Sequence, residues 1–269
     1  MKAERLSLNQ ITVDQCSLPE TVAACVELGI GSVALWRHKV AETGLAETAK
    51  LLQDSGLRVS SLCRGGMFPA VDSADSRRRA DDNRRAVDEA AELGADVLVL
   101  VCGPAPDRDL ARARRQVTEG IAELLPYAQA NGVRLGVEPL HPMMISARSV
   151  VVTLAQANDI VEAFDSPGLG VVIDAYHVWW DPELAEQLRR ATGRIVGFHV
   201  SDWLQDTPDV VYGRGLMGEG MIDLPGLAAA VEAAGWTGPV EVEILNKQIW
   251  TRDPGELLAE IRQRFVDYV

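Results

Sequence analysis

The chain has 269 residues and a formal charge of −13, with 39 Asp plus Glu against 26 Lys plus Arg. A field of that sign repels phosphate backbones and anionic headgroups, which argues against nucleic acid and membrane partners. Hydrophobic residues make up 47% and charged residues 24%, enough apolar material for a buried core and no compositional case for disorder.

The first residues lead directly into a short apolar strand with no secretory hydrophobic core ahead of it, and no apolar run approaches the roughly 20 residues of a membrane span. Cys16, Cys25, Cys63 and Cys102 are scattered and form no C-x-x-C pair. A cytoplasmic protein with buried, unpaired thiols is the expectation, with neither a zinc knuckle nor a disulfide framework. Arginines cluster at 77–79, 84–85 and 112–115, but they alternate with acids on amphipathic helical patterns and read as solvated helix faces.

Short apolar runs alternate with stretches of helical periodicity at intervals of roughly 25 to 40 residues. The predicted strands are Leu6–Asn9, Ser32–Trp36, 59–62, Val97–Val101, 135–138, 170–174, Ile195–Val200 and 240–244, each followed by a helix. Ser17 with Glu20, and Asp253 with Glu256, have capping-box spacing. Asp181 before Pro182 and Asp223 near Pro225 read as further caps, and Gly29, Gly56, Gly94, Gly132 and Gly235 fall where helices should stop. No linker or composition shift divides the chain, and no Gly-rich phosphate loop opens an early helix. The pattern predicts a single (β/α)8 TIM barrel domain over residues 1–269 rather than an open doubly wound sheet.

In such a barrel, chemistry belongs at the C-terminal strand ends. Glu138, Asp174, His199 and Glu243 end or nearly end the last four predicted strands. Strand alternation puts Gly136, Val172, Gly197 and Glu241 on their face, and the apolar Leu135, Val137, Val171, Ile173, Phe198, Val200, Val240, Val242 and Ile244 on the other. Three carboxylates and an imidazole aimed into a barrel mouth are costly unless a cation gathers them. The oxygen-rich set suits Mn²⁺ or Mg²⁺, with Zn²⁺ or Co²⁺ as alternatives.

Further segments point the same way: EPLHP from Glu138, Asp174 with His177, the stretch around His199, Arg214 to Gly220, and EVEI at the last strand. On these the chain resembles the sugar phosphate isomerase/epimerase family of xylose-isomerase-like TIM barrels, with its ketose 3-epimerases and inosose isomerases. The resemblance implies that Glu138, Asp174, His199 and Glu243 bind one divalent metal, and that His177 and Arg214 contact substrate oxygens. It also implies that Glu138 and Glu243 are the catalytic pair, removing and returning a proton beside a substrate carbonyl.

Other residues near strand ends are candidates for the substrate pocket. His141 reads as a substrate ligand or alternative base, or else as a loop hydrogen bonder. Arg64, in a turn after strand three, reads as a substrate contact or a loop-ordering ion pair. Trp36 could stack on a sugar face or pack under a loop, and of Trp179 and Trp180 one could wall the pocket. Glu241 is expected to orient the ligands from one layer below, Glu219 and Asp202 to order the loop after strand seven, and His38 to lie at the surface.

The leading expectation is thus a metal-dependent isomerase or epimerase of a ketose, keto-inositol or related polyol. A lyase using the same enolisation is the alternative, as a dehydratase or the catalytic subunit of a 3-oxo C-glycoside deglycosidase; a non-catalytic barrel subunit follows. The lyase subunit would work in a heteromer, whereas a homodimer is the base-rate expectation otherwise. A DNA-repair endonuclease of the same barrel type is disfavoured by only four histidines and by the acidic charge. Two departures from the family pattern bear on substrate preference: 101–104 reads Val-Cys-Gly-Pro, and 146–148 reads Ser-Ala-Arg where an acidic turn is expected.

Overall fold

The fold is described from a computed structural model covering residues 1–207 and 209–269. The strands are β1 (Leu6–Asn9), β2 (Ser32–Trp36), β3 (Arg58–Gly66), β4 (Val97–Val101), β5 (Arg134–Val137), β6 (Leu169–Asp174), β7 (Ile195–Val200), β8 (Asp202–Trp203), β9 (Arg214–Gly215) and β10 (Val240–Val242). Among the described residues, eight of them close into a parallel barrel in the order β1-β10-β7-β6-β5-β4-β3-β2, while β8 and β9 form a small antiparallel ribbon. This is the expected TIM barrel, and the ribbon is an addition in the loop after β7. No helix among the described residues is long and apolar enough to cross a membrane.

The helices start and stop where the local chemistry directs. Ser17 and Glu20 form the reciprocal capping box at Leu18–Glu27. The Ser17 N–H donates to Glu20 Oε2 at 2.8 Å, and the Glu20 N–H donates to Ser17 Oγ at 3.4 Å. Ser17→Ala is expected to cost about 1 kcal/mol of stability, read by urea unfolding. Asp223 and Asp253 accept from the N–H groups of Gly226 and Glu256. Asp181 differs from expectation: it accepts from the Glu183 N–H and so closes a turn, and the helix Leu184–Arg190 begins after it without a side-chain cap. All five glycines predicted at helix ends have positive φ. Beyond four of them the next N–H reaches back into the last turn, as Ile30 does to the Cys25 carbonyl at 2.8 Å.

The strand faces separate two cores. Leu135, Val137, Val171, Ile173, Phe198, Val200, Val240, Val242 and Ile244 all lie in the large core between barrel and helices. Inside the barrel, Val97, Val99, Val172 and Val196 form a separate small cluster. Val196 reaches it through a break in register: Val171 pairs with Ile195 but Val172 pairs with Gly197, so Val196 is an extra residue on β7.

Two further breaks shape β3, which runs to Gly66 rather than stopping at residue 62. Against β2 the ladder skips Ser60, and against β4 it skips Arg64. Arg64 therefore lies within a strand, through a cis Cys63–Arg64 peptide, and not in a turn after it. The apolar signal ends at Leu62, but pairing continues because Gly66 lets the two backbones meet: a Cβ there would stand 2.2 Å from the Val101 carbonyl oxygen. At the other extreme, β5 and β10 end just before Glu138 and Glu243. The N–H groups of both residues still donate to the neighbouring strand, to the carbonyls of Leu100 at 3.2 Å and Val200 at 3.1 Å.

Candidate metal centre and substrate pocket

Glu138, Asp174, His199 and Glu243 each offer a donor atom, and these atoms lie within 4.8 Å of one another. All four residues are buried. They come from the ends of β5, β6, β7 and β10, neighbours around the barrel, so a single arc of the rim carries the whole set. His199 Nδ1 is 3.2 Å from Glu138 Oε1 and 3.5 Å from Glu243 Oε2, while its Nε2 is 3.1 Å from Glu241 Oε2.

The residues fit a divalent cation. Glu138 Oε1 and both His199 ring nitrogens are buried without a hydrogen-bond partner of proper geometry, although carboxylates stand close by. Buried donors left this way require a further partner, and a hard cation satisfies three carboxylates and one imidazole together. Nδ1 faces the other donors, which leaves Nε2 to Glu241.

Glu241 is itself held. It accepts from Ser60 Oγ at 2.8 Å and from Asn9 Nδ2 at 3.2 Å, and Asn9 Oδ1 accepts from Trp36 Nε1 at 2.8 Å. Such a carboxylate fixes the orientation of a ligating imidazole. Glu241→Gln is expected to leave the fold intact and weaken divalent-metal affinity about 10- to 100-fold, read by calorimetric titration.

Charge is dense here, and the site answers it with Arg214. Its Nη1 donates to Asp174 Oδ2 at 2.9 Å and Glu243 Oε2 at 3.2 Å, and the guanidinium lies 4.6 Å over the Tyr176 ring. Burial pushes the Asp174 carboxyl up, but Arg214, with His177 and His199, outweighs it and holds the group below its ordinary value. Burial raises Glu138 to about 7, opposed by His199 and reinforced by Glu243 and Asp174. Burial opposes charge on His199, yet Glu241, Glu138 and Glu243 together hold its imidazole well above the ordinary range. His177 goes the other way: burial pushes it down to about 3 despite Asp174, so it is neutral at pH 7. Its Nδ1 accepts from the His141 N–H at 3.2 Å. Its Nε2 lies 3.2 Å from Arg214 Nη2 and 3.4 Å from Asp174 Oδ2.

A pocket opens above this arc. Glu138, Glu243, His177, Arg214, Arg64 and Trp36 all line it, and Arg148 joins them. His141 does not line it; its ring packs on Trp203 at 4.6 Å, and its Nδ1 accepts from the Met143 N–H at 3.3 Å. Trp179 and Trp180 also lie off the pocket wall, the first against the core and the second bonded to the His177 carbonyl. Asp202 accepts N–H bonds from Gly218, Gly220 and Ile222, and Glu219 accepts from Leu216, so both order the loop after β7. The side chain of His38 is 49% exposed.

Sequence reasoning passed over Asn9 and Ser60, which hold Glu241, and noted Arg148 only as a departure in its loop, not as a pocket-lining residue. The signal for Asn9 was present in β1, where Ser7 and Asn9 alternate with the apolar Leu6 and Leu8. Ser60 and Arg64 turn inward only because of the register breaks, which no periodicity announces.

The signature of the xylose isomerase-like TIM barrel family matches residues 22–267, and the chain belongs to that family. It is similar to the SMc04130 protein of Sinorhizobium meliloti 1021, whose crystal structure superposes with a TM-score of 0.97 at 48% identity over 99% of each chain. It is 26% identical over 243 residues to 3-dehydroshikimate dehydratase of Pseudomonas aeruginosa, a match covering 86% of this chain but 36% of that enzyme. The chain thus spans about a third of the length of that relative. It is also 24% identical over 216 residues to L-ribulose-5-phosphate 3-epimerase UlaE of Escherichia coli O1:K1, covering 78% of this chain and 72% of the epimerase.

Proposed function

We propose that the protein is a divalent-metal-dependent isomerase or epimerase of a ketose, keto-inositol or related polyol, working by proton abstraction beside a carbonyl. The observation that carries this reading is the convergence of the four strand-end donors, with Glu138 and Glu243 flanking one imidazole from different strands. A bound divalent ion would polarise adjacent substrate oxygens and stabilise an enediolate.

The chain's own groups supply the rest. One of Glu138 and Glu243 takes the proton from carbon and the other delivers it, each from its own side of the substrate. His177, neutral, and Arg214, which line the pocket together, contact substrate oxygens. Trp36, anchored by Asn9, offers an apolar wall for the sugar face, and Arg64, on the neighbouring strand, contacts the substrate beside it. Mn²⁺ or Mg²⁺ is the preferred ion, and a small sugar or polyol the partner.

Solvent deuterium exchange tests this directly. In D₂O with Mn²⁺, a turned-over keto sugar or keto cyclitol gains deuterium beside its carbonyl, and chelation stops the gain. Turnover without exchange contradicts the reading. The likeness to a dehydratase favours a second one, in which the same enolisation ends in elimination; release of water or an aglycone from a 3-oxo substrate, tracked by NMR, separates the two. His141 is left out of the acid–base pair, because its ring packs on Trp203 and lies off the pocket wall.

A further inference from the structure

The metal donors occupy the arc β5-β6-β7-β10, and the complementary arc β4-β3-β2-β1 bears a different chemistry. Arg64 projects from β3 at the break in its pairing with β4. Arg148 lies in the loop after β5, which is drawn over the end of β4. The next residue, Ser149, bridges to Gly103, and the Val150 N–H donates to the Gly103 carbonyl at 2.9 Å. Both guanidinium residues line the same pocket as Glu138 and Glu243.

Neither side chain has a hydrogen bond or ion pair among the described residues, and Arg148 Nε is buried with no acceptor. The carboxylates near this wall are committed elsewhere. Glu138 and Glu243 face His199 and Arg214, and Asp82, the acid that acts on Arg64 from outside, is bonded to Arg37 and Arg85. Burial, with repulsion from Arg148 and Arg37, lowers the Arg64 guanidinium from its ordinary value, so the pair is held together against its own charge. Two guanidinium groups lining one pocket with no internal acceptor match an anion with two or more oxygens. Arg148 is also the residue that stands where the loop was expected to be acidic.

We infer that the substrate carries an anionic oxygen group, a carboxylate or a phosphate, which Arg64 and Arg148 grip on the arc of the rim facing away from the metal donors. This rests on the enolisation reading for the identity of the ligand as substrate, but the anion site itself can be measured without turnover. It makes the substrate a keto acid or keto phosphate rather than a neutral ketose.

The test uses the Mn²⁺-loaded protein. Acetate and inorganic phosphate are titrated calorimetrically into wild type and into R64M, R148M, R64K and R148K, each first checked for equal Mn²⁺ affinity and a wild-type melting profile. One of the two anions is expected to bind, with affinity falling about 10- to 100-fold in the Met variants and less in the Lys variants. Which of them binds separates carboxylate from phosphate. Failure of both to bind, or equal binding by wild type and Met variants, overturns the proposal. Exchange in D₂O is then compared for D-fructose, fructose 6-phosphate and 2-keto-gluconate. Exchange of an anionic member, with KM raised at least about tenfold in R148M and kcat little changed, supports it. Exchange of the neutral ketose that is indifferent to both substitutions overturns it while leaving the enolisation reading standing. Arg-dependent anion binding with no exchange on any keto substrate does the reverse.

Discussion

His199→Asn and Asp174→Asn are each expected to give a folded barrel that no longer retains one equivalent of divalent ion and has lost about 10³-fold or more in turnover. The size follows from what a bound ion contributes to stabilising charge on oxygen, several kcal/mol, at about 1.4 kcal/mol per factor of ten. His199 is the only nitrogen donor of the four, and its Nδ1 is the atom that both Glu138 and Glu243 approach. Asn at 174 can still accept the Tyr176 N–H at the position where Asp174 Oδ1 now does, at 2.9 Å, so the start of the following turn survives. What it loses is the negative charge that faces Arg214 and the ion. Metal content by elemental analysis and turnover should fall together, whereas melting temperature should change little in the chelated proteins. Full metal retention with full activity in either variant would refute the assigned ligand set.

Glu138→Gln and Glu243→Gln carry the second large effect, and they separate two jobs of one side chain. A glutamine keeps an oxygen to offer the ion but cannot accept a proton from carbon. Each substitution is expected to lower net isomerisation about 10²- to 10⁴-fold, the range typical of general acid–base groups. If the two carboxylates serve opposite sides of the substrate, the variants differ in a further way. The one that keeps the base on the side of the departing hydrogen continues to wash deuterium from D₂O into recovered substrate without inverting it. Its counterpart, given the same substrate, shows neither exchange nor product, and the roles swap when the reverse substrate is supplied. Identical behaviour of the two variants toward both substrates would mean that one residue handles both transfers.

Much of this site could be read before any coordinates, for a physical reason. Parallel barrel strands bury their outer face against helices, so Leu135, Val137, Ile173, Phe198 and Val242 are forced to be apolar. Acids and a histidine of opposite parity then stand out at the ends of four neighbouring strands. The capping residues Ser17 and Asp223 and the helix-ending glycines were legible because each satisfies local backbone demands within a few residues.

What was not legible depends on pairing between strands distant in sequence. The extra residues Ser60, Arg64 and Val196 are set by register against their neighbours, and a shift of one residue moves a side chain to the other face. Arg64 was thus assigned to a turn although it belongs to β3. Arg148 was noted only as an unusual loop residue, because the bridge that pulls its loop over β4 joins Gly103 to Ser149, far apart in the chain. The orientation of His141 against Trp203 depends in turn on the β8–β9 ribbon, which short apolar content does not betray.

The central claim is that four strand ends hold one divalent ion between them. Anomalous diffraction at the manganese edge, on crystals of chelated protein soaked in Mn²⁺, tests it most directly. One dominant peak is expected in contact with Glu138, Asp174, His199 and Glu243, with Glu241 still against the far ring nitrogen of His199. No peak at that position under saturating Mn²⁺, or a peak ligated by other residues, would contradict it.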